Sequence, residues 1–155
     1  MDYLPYLLAL LIGVIAGLRT MTAPAAICWA AYLGWFSLVG TPLAFMGSIW
    51  AVGAFTLLAL LELVADQLPS TPSRKVPMQL GARLVTGGLA GAAVGAAHLM
   101  LVPGLVAGIV GAVIGTYGGA AFRAALAKSF GRDLPAALVE DAIAIGGALL
   151  IVCNL

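Results

Sequence analysis

Every position from Thr20 to Leu61 is uncharged. One crossing of a bilayer takes ~20 apolar residues of helix, so this single stretch has room for two. A second run lies between Arg83 and Arg123, interrupted only by His98. The rest of the chain offers nothing to cover them. Hydrophobic residues make up 63% of the chain and charged residues 8%. Soluble domains carry roughly 25% charged residues. With a mean hydropathy of +1.15, the solvent of this chain must be lipid. The net charge of +1 leaves no basic face for nucleic acid.

Short polar breaks divide the apolar sequence. Leu4–Leu18 closes in Gly17-Leu18-Arg19-Thr20-Met21-Thr22-Ala23-Pro24, where Pro24 suits the first turn of a new helix. Turns are expected at Leu38–Pro42 and Val102–Gly104, a basic Pro/Ser-rich loop from Pro69 to Pro77, and a last break at Gly131–Pro135. Helices are predicted at 4–18, about 22–38, 42–67, 80–101 and 104–129, with a sixth ending near Val152. The expected fold is an all-α membrane protein of six short transmembrane helices, one domain over 1–155. The N-terminal segment lacks the Lys or Arg of a signal peptide and carries Asp2, so it reads as a retained first helix.

Arg74 and Lys75 fall in the third loop, Lys128 and Arg132 flank the fifth, and Arg19 lies in the first. With six spans these loops share one side, which the excess of positive charge makes cytoplasmic. Both termini then face the periplasm or exterior. Tyr3, Tyr6, Tyr32, Trp35 and Phe36 fall near the outer ends, as an interfacial aromatic belt would.

The sequence also repeats. Gly17-x-Arg19-x-x-Thr22 recurs as Gly81-x-Arg83-x-x-Thr86, and the same offset relates Gly40 to Gly104 and Gly47 to Gly111. Each unit is an arginine motif followed by a helical hairpin, and two spans per unit make the repeats parallel. The second hairpin is rich in small residues four apart, such as Gly87, Gly91 and Gly95. That spacing lets backbones approach closely in lipid, within one chain or across a homo-oligomer.

The buried charges share one depth. Glu62 precedes Pro69, and Glu140 follows Asp133, by the same interval, roughly 10 Å of helix at 1.5 Å per residue. Glu62 and Asp66 are four apart and point from one helix face. Asp141 points about 100° away from Glu140. Arg19 and Arg83 sit at the inner mouths of the two hairpins, with Thr22 and Thr86 beside them. Pairs such as Glu62–Arg19 or Glu140–Arg83 would neutralise charge at depth. Arg123, Asp66 and Asp141 are near enough to the headgroups to snorkel. The candidate binding or transport residues are therefore Glu62, Asp66, Glu140, Asp141, Arg19, Arg83, Thr22 and Thr86.

No enzyme is expected. His98 is the only histidine and lies toward the outer end, so neither a nucleophilic triad nor a metal cluster assembles. Cys28 and Cys153 have no metal-site spacing. No cofactor is implied.

The segments Glu62-x-x-x-Asp66-x-x-Pro69-Ser70-Thr71-Pro72-Ser73-Arg74, Gly81-Ala82-Arg83 and Glu140-Asp141-Ala142-Ile143-Ala144-Ile145-Gly146, with the Gly17-Leu18-Arg19 start, resemble small bacterial membrane proteins grouped as domain of unknown function 4126. The resemblance covers nearly the whole chain. It implies an integral protein of the bacterial cytoplasmic membrane and carries no established activity. Gln67 stands where that resemblance leads one to expect a basic residue.

Two functional readings follow. In one, a transporter or channel handles a small cation, a proton or a small polar solute in a cytoplasm-facing charged cavity. In the other, a non-transporting scaffold or accessory subunit uses the same charges to pin its helices, with the Pro69–Pro77 loop or the glycine faces meeting a partner.

Overall fold

Residues 3–68 and 73–155 are described by a computed structural model of the chain. Among them the secondary structure is entirely helical. The helices are α1 (Leu4–Leu18), α2 (Thr22–Tyr32), α3 (Ile49–Ala65), α4 (Pro77–Ala97), α5 (Leu101–Phe130) and α6 (Asp133–Val152), with a 3₁₀ turn at Ala44–Gly47 before α3. Asp2 and the expected break at Pro69–Pro72 lie outside the described residues.

Local chemistry moves several expected boundaries. α2 stops at Tyr32 rather than near 38, because Gly34 adopts φ 78°, a left-handed turn that ends a helix. α3 begins at Ile49 rather than 42. The extended backbone of Ser48 caps it, and its Oγ accepts the Ala51 N–H at 3.2 Å. Pro77, which needs no N–H partner at the first helical position, starts α4 earlier than 80. The turn after α4 falls at His98–Met100, and Pro103 sits in the first turn of α5.

Glycine decides the packing. α1, α4 and α5 form the tightest part of the bundle, α1 parallel to α5 and α4 antiparallel to both. A Cβ on Gly17 would stand 2.5 Å from the Ala112 carbonyl oxygen, and one on Gly87 would stand 2.9 Å from that of Gly108. Gly91 and Gly95 of α4 meet the backbone at Gly104 and Gly108 in the same way. The small-residue stripes therefore serve contacts within the chain.

Small side chains such as Ala9, Ala16, Ala30, Ala90, Ala93 and Ala144 fill much of the interior, beside larger ones such as Ile12, Ile27 and Met46. Many other large apolar side chains point outward. Leu57, Leu60, Leu61 and Val64 of α3 are exposed, and α3 buries only Ala51 and Val52. Water would strongly disfavour such a surface. Such a surface is suited to lipid, where close backbone packing can hold helices together.

α4, α5 and α6 are each long and apolar enough to cross a membrane. α1 and α3 are apolar but shorter, at 15 and 17 residues. α2 has 11 residues, a rise of about 16 Å, or roughly half of a ~30 Å hydrocarbon core.

Candidate functional site

The site grows from the break between α1 and α2. Leaving one helix and starting another orphans carbonyls at the first end and N–H groups at the second. In an apolar setting such groups need partners from the protein. Glu62, in the last turn of α3, supplies one set. Its Oε1 accepts the Thr20 N–H at 2.6 Å and its Oε2 accepts the Met21 N–H at 2.8 Å. A carboxylate at a helix N-terminus is also favoured by the helix dipole. Arg83 of α4 supplies the other, its Nη1 donating to the Gly17 carbonyl at 2.7 Å. Its Nη2 lies 4.0 Å from Glu62 Oε1. The two side chains clasp both ends of the joint.

Arg19 sits in the joint with no solvent exposure and forms ion pairs with Asp66 at the end of α3 and Asp141 of α6. Gln67 Nε2 donates to the second Asp141 oxygen at 3.2 Å. Glu140 is likewise fully buried. It receives Arg74 in a fork, Nη1 to Oε1 at 2.5 Å and Nη2 to Oε2 at 2.9 Å. Gly119 makes room for Leu18 and for that pair: a Cβ there would overlap Leu18 Cδ2 and stand 3.1 Å from Arg74 Nη1 and 3.3 Å from Glu140 Oε1. Arg123 of α5 approaches Glu140 Oε2 at 3.5 Å and grips Asp133 through Nε at 3.0 Å and Nη2 at 2.6 Å. Every Asp and Glu side chain among the described residues thus lies within 4.0 Å of an arginine.

The acids and arginines thus come together at one level of the bundle, but the expected pairs do not form. Glu62 does not pair with Arg19, nor Glu140 with Arg83. Depth follows from rise per residue, whereas pairing depends on how each helix is rotated against its neighbours. Asp66 and Asp141 point inward onto Arg19 instead of snorkelling. Glu62 and Asp66 do share a face, and Glu140 and Asp141 do diverge. Thr86 turns back on its own helix, donating to the Ala82 and Arg83 carbonyls at 3.0 and 3.3 Å. Thr22 is the buried first residue of α2 and joins no ion pair. Of α2 and α4, α2 alone presents its N-terminus to the acids, because α4 starts at Pro77, before Arg83. Arg74, Asp133 and Gln67 belong to the cluster without standing among the candidates. Asp133 is an acid in the first turn of α6, a legible signal. Arg74 comes from a loop, where sequence spacing carries no direction.

A cleft of about 360 Å³ opens beside the cluster, lined by Asp66, Arg74, Gln79, Arg83, Arg123 and Asp133 among others. At the other end of the bundle a shallow cavity of about 740 Å³ is bounded by Tyr3, Tyr6, His98 and Met100. Between the two, α1, α4 and α5 meet backbone to backbone.

A family model described as Domain of unknown function (DUF4126) matches residues 6–153, and the chain belongs to that family. No curated protein and no solved structure matches it.

Proposed function

We propose that this member of the DUF4126 family is a small multi-pass membrane protein that binds a small cation, proton or small polar solute in the charged cleft, as a transporter does. The observation that carries this reading is the cleft itself. Its ionised lining comes from α3, the α3–α4 connection, α4, α5 and α6. Ionisable groups at depth in a membrane protein most often face one another or a water-filled cavity, and here a cleft adjoins a paired network. We assign the cleft to binding rather than catalysis, since His98 caps the far end of α4.

We further infer six passes through a bacterial cytoplasmic membrane, α2 reaching partway, with the cleft cytoplasmic and both termini outside. Arg74, Lys75, Lys128 and Arg132 all lie toward the cleft end, which supports that orientation. The Gly17–Thr22 and Gly81–Thr86 motifs support a parallel duplication, although Arg19 follows α1 while Arg83 lies within α4. Exposed α3 leaves room for a second copy of the chain.

Reconstitution into liposomes tests transport. Flux of protons, monovalent cations or small polar solutes is expected with the native protein, and Arg123→Gln is expected to diminish it. Equal flux from native and variant proteins of matched fold would defeat the reading.

A scaffold role is the second reading, and one observation favours it. Glu62 and Arg83 satisfy backbone groups that the α1–α2 break would otherwise leave without partners. Under that reading no flux is seen, and the cluster matters for stability alone.

A further inference from the structure

The cleft has a charge pattern that selects among solutes. Its lining carries both signs, and each charge already has a counter-charge: Asp66 has Arg19, Arg74 has Glu140, Arg123 has Asp133, and Arg83 faces Glu62. A ligand with net charge would unbalance this network in surroundings of lower dielectric than water, where the Coulomb cost is greatest. A ligand carrying one charge of each sign would not.

Two lining groups retain capacity. Arg83 is 3% exposed, and its Nε has no hydrogen-bond partner among the described residues. A buried donor of this kind calls for an acceptor. Arg74 and Arg123 already use their forks on carboxylates, so of the lining guanidiniums Arg83 keeps an edge, itself buried at Nε, with no hydrogen-bond partner for that nitrogen among the described residues. That edge suits a carboxylate or phosphate. Asp66 engages Arg19 through Oδ2, and the described residues give its Oδ1 no partner. The volume of about 360 Å³ lies at the small end of the ~300–1,000 Å³ typical of ligand pockets.

We propose that the cleft binds a small zwitterion, its anionic group on the Arg83 Nε edge and its cationic group on Asp66. This rests on the reading of the cleft as a solute site. A free amino acid and a zwitterionic lipid headgroup share the required chemistry.

The experiment uses purified full-length protein in detergent and measures binding by calorimetry and thermal shift. The probes are glycine, L-alanine, L-serine and glycine betaine as free zwitterions, and glycerophosphoethanolamine as the headgroup. Propionate and ethylamine are the single-charge analogues of L-alanine. At least one zwitterion is expected to bind about tenfold more tightly than either analogue. Preference for the amino acids would identify a free solute, and preference for glycerophosphoethanolamine a lipid headgroup. Arg83→Lys keeps a cation near Gly17 but removes Nε, and it is expected to lose the zwitterion preference. Binding of propionate or ethylamine as tight as any zwitterion, or binding of no zwitterion, overturns the proposal. The two readings fail separately: ion flux without zwitterion binding keeps transport and removes this inference. Zwitterion binding without flux does the reverse.

Discussion

Replacing Glu62 should injure the fold through backbone groups rather than through a lost ion pair. Its carboxylate accepts two N–H bonds, at 2.6 and 2.8 Å, from the start of α2. Hydrogen bonds to a charged group contribute about 1.5–3 kcal/mol each. Glu62→Gln keeps one acceptor oxygen and turns an NH₂ toward the other N–H, so about 1.5–3 kcal/mol should be lost. Glu62→Ala removes both acceptors and leaves Arg83 without its facing charge, which points to about 3–5 kcal/mol. The Glu62 side chain keeps 13% of its exposure, and rehydration there pulls both figures toward their lower ends. The neighbouring Arg83 Nη2 stands at 4.0 Å, beyond direct hydrogen bonding. A double-mutant cycle between Glu62→Gln and Arg83→Met should therefore give a coupling smaller than the Glu62→Gln loss itself. Unfolding in mixed micelles, followed by fluorescence of the three tryptophans, measures all of these. Glu62→Gln within about 0.5 kcal/mol of native, the range of ordinary surface substitutions, would refute the clasp.

Glycine positions give a matched pair on one helix. A Cβ at Gly108 would overlap the Gly87 carbonyl and stand 2.9 Å from Gly91 Cα, while nothing lies within 4 Å of one at Gly118. Gly108→Ala should lower stability by about 1–3 kcal/mol, and Gly118→Ala should be neutral or stabilising by up to ~1 kcal/mol, both read by unfolding in micelles. Arg74→Met leaves the fully buried Glu140 with Arg123 at 3.5 Å and should cost about 3–5 kcal/mol. The cycle with Glu140→Gln is expected to recover more than ~1 kcal/mol of the summed losses. Gly119→Ala, which would overlap Leu18 and also crowd the same ion pair, should lose stability in both backgrounds, somewhat less once Arg74 is methionine.

Much of the fold was legible because a chain this apolar follows a simple grammar. Uncharged runs must become helices, and Gly, Pro and polar residues end them. The sequence pattern carries six helices and one charged end. It missed boundaries wherever a single cap or a left-handed glycine decided them, as at Gly34 and Ser48. It foresaw close packing at the glycines of α4 and α5, but not that α1 completes the seam through Gly13 and Gly17.

The sequence by itself determined the apolar composition, the helical class and the spacing of the charges along their helices, since composition and rise per residue are properties of the chain alone. Only the tertiary structure decided the partners. Helix rotation turned Asp66 and Asp141 onto Arg19, the path of a loop delivered Arg74 to Glu140, and Glu62 found two backbone N–H groups that residue types do not reveal. Depth is a one-dimensional quantity that spacing encodes. Pairing is set by azimuth and by broken backbone, and both arise only when the helices pack.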